Sequence, residues 1–292
     1  MLGTSMFTFT PARLRRAFFI VALATAGAVF AGPPTAGTQA PLAQVGKPTA
    51  AEAGRILEQF RRSGWLGYVE FELRALPRQG DERVYQGRLW GGFNGQGAVT
   101  RIELTDAQGV VQRFLLQNGE QAAVWRVRLG RPEVVQGAAL LDPLIPGVEV
   151  SAFDLQMPYL YWPEFAVESV VRMRGRPAYT FLFTPPATFA RAHSGLQRVR
   201  AYFDAQYSAP MQTEFTDAKR VVKTVSLVDL KKVGEQWIPR SFDIRNEVTR
   251  DKTRFVVTAV ALRLEFAPLV FEPASLTEAV QPPTDRLVRV AP

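Results

Sequence analysis

A mainly β fold, a single domain of about 11 antiparallel strands that curl into a barrel or sandwich, with one N-terminal helix and a short helix and loop over the sheet, is predicted by three features of the sequence. Short runs of alternating apolar and polar residues recur between Trp65 and Thr184 and again, almost without interruption, from Val199 to Leu262. Turn-forming clusters separate them, among them Asp106 to Gly109, Asn118-Gly119, Arg174-Gly175, Asp217 to Arg220 and Gly234-Glu235. Only one stretch, Thr49 to Ser63, carries the 3.6-residue period of an amphipathic helix.

Taken in order, the chain begins with Arg13, Arg15 and Arg16, an apolar run from Ala17 to Phe30, and the small residues Ala31 and Gly32. Residues 1–31 therefore read as a secretory signal peptide, the apolar run being shorter than the ~20 residues that span a bilayer. Residues 32–48, rich in Gly, Pro, Ala and Thr, are expected to form a flexible leader. The folded domain is expected over residues 49–278, followed by a polar, Pro-rich tail over 279–292. At the domain's start Thr49 and Glu52 have the spacing of a capping box, Ile56, Leu57 and Phe60 share a face, and Gly64 ends the helix.

In the strand that follows, Val69, Phe71, Leu73 and Ala75 fall on one face. Tyr179, Phe181 and Phe183 alternate in the same way before Pro185 and Pro186 stop their strand. In the later sheet the inward set is Val199, Ala201 and Phe203; Met211, Thr213 and Phe215; Val225 and Leu227; Ile238, Phe242 and Ile244; and Phe255, Val257 and Ala259. Between the two groups of strands, Ala138 to Pro163 breaks the rhythm with prolines and a dense set of large apolar residues. A segment of this composition lies over a sheet either as a fixed core plug or as a movable lid, and its lid candidates are Leu155, Met157, Tyr159, Leu160, Tyr161 and Trp162.

Composition excludes several functions. The chain has no cysteine, so it has no disulfide, no thiolate chemistry and no lipid attached through an N-terminal cysteine; the exported protein is expected to be soluble and without a lipid anchor. Its one histidine, His193, cannot by itself build a histidine-based triad or a typical zinc site, and no cofactor or metal is expected. An enzyme would have to use carboxylates, for which Asp154, Glu164 and Glu168 are the candidates; solvated loop acids are the simpler reading, and no enzymatic activity is expected. The net charge of +8 falls to +5 without the three arginines of residues 1–31. The surplus is dispersed, as in Trp125-Arg126-Val127-Arg128, which reads as solvated strand faces rather than a nucleic-acid site. Charged outward faces also argue against an outer-membrane barrel.

The order of helix, strands, apolar interruption and long meander, with YSAPMQTEFTD from Tyr207, VVKTVSLVDLKKVGEQWIP from Val221 and a closing FEPASL from Phe271, resembles the outer-membrane lipoprotein-sorting proteins of the LolA-like superfamily. The similarity is strongest from Arg174 to Leu276 and weakest from Gly130 to Pro163. The resemblance implies a half-open barrel whose apolar cavity takes up acyl chains, and a periplasmic carrier that helps deliver lipoproteins or lipids to the outer membrane. The cavity candidates are then Phe71, Leu73, Trp125, Phe181, Phe183, Phe203, Met211, Phe215, Leu227, Phe242, Ile244, Phe255 and Val257. The expected partners are the acyl chains of lipoproteins or lipids and inner- or outer-membrane proteins, with no nucleic acid and a monomeric state. A lipid- or lipoprotein-sensing protein on the same fold, without transport, is the alternative. Residue pattern alone leaves open whether the inward face fills a core or lines a cavity, since both need the same apolar residues.

Overall fold

The computed structural model describes residues 19–20, 23–24, 45–61 and 65–290. Phe19–Ile20 (β1) and Leu23–Ala24 (β2) form a minimal antiparallel pair apart from the main sheet. Otherwise the expected signal peptide, most of the leader and the helix stop at Gly64 lie outside the described residues. Helix α1 (Ala50–Arg61) starts as its sequence dictates: the Thr49 amide and hydroxyl both donate to the Glu52 carboxylate at 2.8 Å, and the Glu52 amide donates back to the Thr49 hydroxyl at 3.3 Å.

The first meander comprises β3 (Gly67–Leu76), β4 (Arg83–Asn94), β5 (Gly97–Thr105), β6 (Val111–Gln117), β7 (Ala123–Arg128) and β8 (Arg131–Val134). The apolar interruption follows, with a 3₁₀ turn at Gly137–Leu140, the short helix α2 (Ala152–Gln156) and a second 3₁₀ turn at Pro158–Tyr161. The second meander runs through β9 (Phe165–Met173), β10 (Arg176–Phe183), helix α3 (Ala187–Ala192), β11 (Arg198–Asp204), β12 (Pro210–Thr216), β13 (Val221–Val233), β14 (Gln236–Asn246) and β15 (Lys252–Leu262). Two 3₁₀ turns, Pro268–Phe271 and Pro273–Thr277, and the short strand β16 (Val288–Arg289) close the described chain.

These strands form one open 14-stranded sheet in the order β8-β7-β6-β5-β4-β3-β15-β14-β13-β12-β11-β10-β9, with β16 added alongside β15. The fold is mainly β, as the sequence predicts, and the sheet is not closed into a barrel. The predicted count of about 11 is exceeded because Arg131–Val134 and Val288–Arg289, too short to show a period, also pair, and because the stretch from Val199 to Leu262 holds five strands.

The order places the end of the first meander, β8, at one edge and the start of the second, β9, at the other, while β3 and β15 meet in the middle. The connection over residues 135–164 must therefore travel from edge to edge. It does so across the inner face, where Ile145, Val148, Val150, Phe153, Leu155, Tyr159 and Trp162 are buried in the same core as the inner residues of the strands. Helix α1 buries Ala53, Leu57 and Phe60 in that core too, which gives its apolar stripe the partner the sequence requires. Gly87 on β4 is needed for close packing, because a Cβ there would sit 2.2 Å from the ring of Phe71 on β3.

The outer face of the first meander is covered as well, by the segment after β15. Tyr68, Trp90 and Ala261 pack under Leu264, Phe266, Val270 and Phe271, and Val99 and Leu115 pack with Leu276. The predicted tail over 279–292 is in part an ordered element: β16 pairs with Ala259 and Val260, and Val290 is buried against the inner core.

Candidate functional site

The candidate site is the covered inner face. Phe71, Leu73, Phe181, Phe183, Phe203, Phe215, Phe242, Ile244, Phe255 and Val257 all lie there, buried in one cluster. Their rings meet one another: Phe255 stacks between Phe71 and Phe242 at centroid distances of 4.3 and 4.6 Å, and Phe203 lies 5.1 Å from Phe181 and 5.3 Å from Phe60 of α1. The interruption adds its own aromatics, with Phe153 at 5.8 Å from Phe215 and Tyr159 at 5.6 Å from Phe183.

Three predicted cavity residues sit elsewhere. Trp125 points to the outer face, beside Val127 and Leu276, because the segment Pro273–Thr277 supplies a second apolar surface there that the local pattern does not reveal. With it the neighbouring arginines change sides: Arg126 shares the face of Val124, whose side chain joins the inner core, so the arginines of Trp125-Arg126-Val127-Arg128 do not lie on the outward face, although Arg128 is exposed. Met211 and Leu227 are only half-buried and lie outside the cluster; β13 is irregular from Leu227 to Leu230, which ends its regular alternation there. A bulge between Val257 and Ala259 similarly turns Val260, not Ala259, toward the inner core.

Of the lid candidates, Leu155, Met157, Tyr159, Leu160 and Trp162 are buried in the inner cluster and Tyr161 packs half-buried against it. Burial, the leading cause, pushes the Tyr161 phenol up to about 12, and it pushes the Tyr159 phenol up as well, where Thr213 is its hydrogen-bond partner at 3.2 Å.

The interruption is tied down by polar groups whose fastening role the sequence pattern does not show. Ser151 caps α2 in a capping box with Asp154, and Lys223 on β13 donates to the Asp154 carboxylate at 2.9 Å and to the Glu149 carbonyl at 3.0 Å. The Glu149 amide donates to the Thr253 hydroxyl at 2.7 Å and Asn246 donates to its carboxylate at 3.1 Å. Gln156 donates to the Gln117 carbonyl at 2.7 Å, and Arg61 of α1 donates to the Leu160 and Trp162 carbonyls at 2.6 and 3.3 Å. Each residue is ordinary alone, and only the long-range pairing makes it a fastener; the one legible sign was Ser151 three residues before Asp154.

Glu149 sits in this seam at a cost. Burial, outweighing the Asn246 hydrogen bond and Lys223, holds its carboxyl above the ordinary 4.5. A raised folded value favours the fold below the unfolded value, and that advantage is lost as pH rises through the folded one. Glu149→Gln is thus expected to raise Tm at pH 7, within the ~4 °C that 1 kcal/mol spans in a domain of this size, with the two proteins converging below about pH 4.5. Thermal scans from pH 4 to 8 check this; a constant offset across the range would refute it.

Two of the three carboxylates considered for hydrolysis have separate partners. Asp154 is buried against Lys223, Glu168 is paired with Arg200 at 2.7 Å, and Glu164 is exposed. His193 is buried, stacked 3.8 Å from Phe189, with its ring nitrogens facing the carbonyl oxygens of Phe189 and Gly137. Among the described residues no helix is long and apolar enough to cross a membrane.

This open sheet, covered on its inner face by α1 and residues 135–164, has counterparts among solved structures. A domain assigned to outer-membrane lipoprotein sorting from Vibrio parahaemolyticus superposes with a TM-score of 0.66 at 17% identity, covering 77% of this chain and 97% of that one. A DUF1329-family protein from Desulfovibrio piger gives 0.66 at 13% identity, covering 79% and 100%. A LolA-superfamily protein from Nitrosomonas europaea gives 0.59 at 15% identity, covering 75% and 97%. The fold is therefore LolA-like, as the sequence resemblance implies. A family model described only as an uncharacterized protein matches residues 150–278. None of the curated proteins matches the sequence.

Proposed function

We propose that the protein is a non-enzymatic periplasmic carrier that takes up acyl chains of lipoproteins or lipids on its inner sheet face and helps deliver them to the outer membrane. The observation that carries this reading is the edge-to-edge crossing of residues 135–164 over a continuous aromatic and aliphatic face, on a LolA-like fold. An acyl chain gains roughly 0.8 kcal/mol for each CH₂ it withdraws from water, so a carrier needs a long dry surface. The row from Phe71 through Phe255, Phe242 and Ile244, and the second row of Phe181, Phe183, Phe203 and Phe215, supply one.

In the state described, these rings contact each other and the interruption, so the cover stands in for the cargo. Loading then requires Leu155, Met157, Tyr159, Leu160, Tyr161 and Trp162 to lift from the sheet as a lid. Residues 1–31 as a cleaved signal peptide bring the protein to the periplasm, where its donor and acceptor are membrane proteins or the membranes themselves.

Native mass spectrometry and lipid extraction of the protein purified from the periplasm are expected to recover acyl-containing ligand, and the delipidated protein is expected to bind a fluorescent fatty acid. Phe242→Asp should weaken that binding at least about tenfold, since it buries a carboxylate where a methylene chain would lie. Absence of ligand together with absence of fatty-acid binding would reject the carrier reading.

A further inference from the structure

The hairpin joining β7 to β8 breaks two local rules at once. Its turn is Leu129-Gly130, with φ of 50° and 73°, the paired positive values of a type I′ turn. The first position suits Asn, Asp or Gly; a leucine Cβ is crowded there. That leucine touches almost nothing, for Leu129 is 93% exposed, the most exposed large apolar residue among the described residues. Beside it Arg128 and Arg131 are directly opposed across the two strands, where like charges repel. Both are exposed, and among the described residues neither they nor the half-buried Arg126 form a side-chain ion pair.

Glu133, the acid of this hairpin, stands directly opposite Arg126 but is exposed and forms no ion pair among the described residues, so neither cost is offset there, and unoffset local conflicts of this kind mark function. The hairpin stands at the sheet edge, since β8 pairs with β7 alone. Pro132 on that edge strand removes a backbone donor and so discourages addition of a partner strand. A two-residue apolar tip is also far smaller than the roughly 1,000 Å² that a specific protein interface buries. A bilayer sets no such requirement: one leucine can enter the acyl boundary while arginines meet lipid phosphates.

We propose that the Leu129 tip is a membrane-docking element that inserts the leucine into an anionic bilayer surface while Arg126, Arg128 and Arg131 engage the headgroups. This goes beyond acyl-chain carriage and does not depend on it: docking is a property of the outer hairpin, not of the inner face.

The test is flotation of the protein recovered from the periplasm with vesicles of phosphatidylcholine alone or with phosphatidylglycerol added. Binding is expected only to the mixed vesicles and is expected to fall as salt rises. Leu129→Asn, which suits the type I′ turn, should keep or raise Tm yet bind about tenfold more weakly. The double variant R128E/R131E should abolish the preference for anionic lipid. Wild-type protein that floats with neither vesicle, or equally with both, overturns the proposal. So does a folded Leu129→Asn protein that binds as the wild type does, because binding would then be electrostatic without insertion.

Discussion

Arg101→Leu is expected to lower Tm by roughly 10 °C and to loosen the whole segment from Leu264 to Leu287. The Arg101 side chain has no solvent exposure and lies on the outer face of β5 beneath the C-terminal 3₁₀ turns. It donates to the carbonyls of Ser275 at 3.2 Å, of Val270 and Leu276 at 3.5 Å, and of Glu278, and it is paired with Glu103 at 3.2 Å. Arg113 completes the group, donating to Glu103 at 3.2 Å and to the Thr277 carbonyl at 3.3 Å. Burial pulls the Arg101 guanidinium below its ordinary value and the Glu103 carboxylate opposes that pull, yet an arginine stays protonated. Its replacement by leucine strands a buried carboxylate on one remaining partner and takes a donor from the Val270, Leu276 and Glu278 carbonyls, while the Ser275 carbonyl keeps only the Glu278 amide. Breaking such a group costs about 3–5 kcal/mol. Hydrogen exchange should show the loss first in peptides covering 264–287. The double variant R101L/E103L should recover part of the stability, because no fully buried charge is then unpaired and the half-buried Arg113 keeps the Thr277 carbonyl. Unchanged protection over 264–287 in Arg101→Leu would show that apolar packing around Phe271 and Leu276 suffices to hold the segment.

Arg101 also marks the limit of what the sequence discloses. The inner faces of β3, β10 and β11 were legible because Val69-Phe71-Leu73-Ala75, Tyr179-Phe181-Phe183 and Val199-Ala201-Phe203 alternate cleanly, and α1 because Thr49 and Glu52 announce its start. Alternation assigns residues to two sides without saying what each side meets. Where the C-terminal segment covers the outer face, Tyr68, Trp90 and Trp125 are buried or half-buried opposite to the inner set, and a fully buried arginine is part of the packing. Bulges hide in the same way: one extra residue after Val257 exchanges Ala259 for Val260 at the core, and no single residue there signals it. At the candidate site, the aromatic lining could be read but its fasteners could not. Arg61, Gln156 and Lys223 are typical surface residue types, and their roles arise from partners between 33 and 101 positions away. The crossing of residues 135–164 follows from strand order, which depends on β3 pairing with β15 across the length of the chain.

Lys223→Met is the second substitution with a large expected effect, and it bears on function. The Lys223 and Asp154 side chains are 18% and 2% exposed, so the pair is shielded from solvent and its charges interact more strongly than a surface pair would. Methionine keeps the aliphatic stem but leaves the Asp154 carboxylate with hydrogen bonds only from the Ser151 hydroxyl and the Ser151 backbone amide. The Glu149 carbonyl loses a donor at the same time. A loss of about 2–4 kcal/mol is expected, seen as a Tm lower by about 5–10 °C. Adding Asp154→Asn should restore part of it, since a neutral amide needs no counter-charge. The seam fastens the interruption at the β13 side of the sheet, so its loss should also ease lifting of residues 138–163. If the interruption is the lid, the delipidated variant takes up fluorescent fatty acid several-fold faster than the wild type while the affinity changes less, because a weaker latch lowers the cost of opening. If the interruption is instead a fixed plug, stability falls and the uptake rate does not move. The two readings share the same buried aromatics, and only the coupling between latch strength and loading rate separates them.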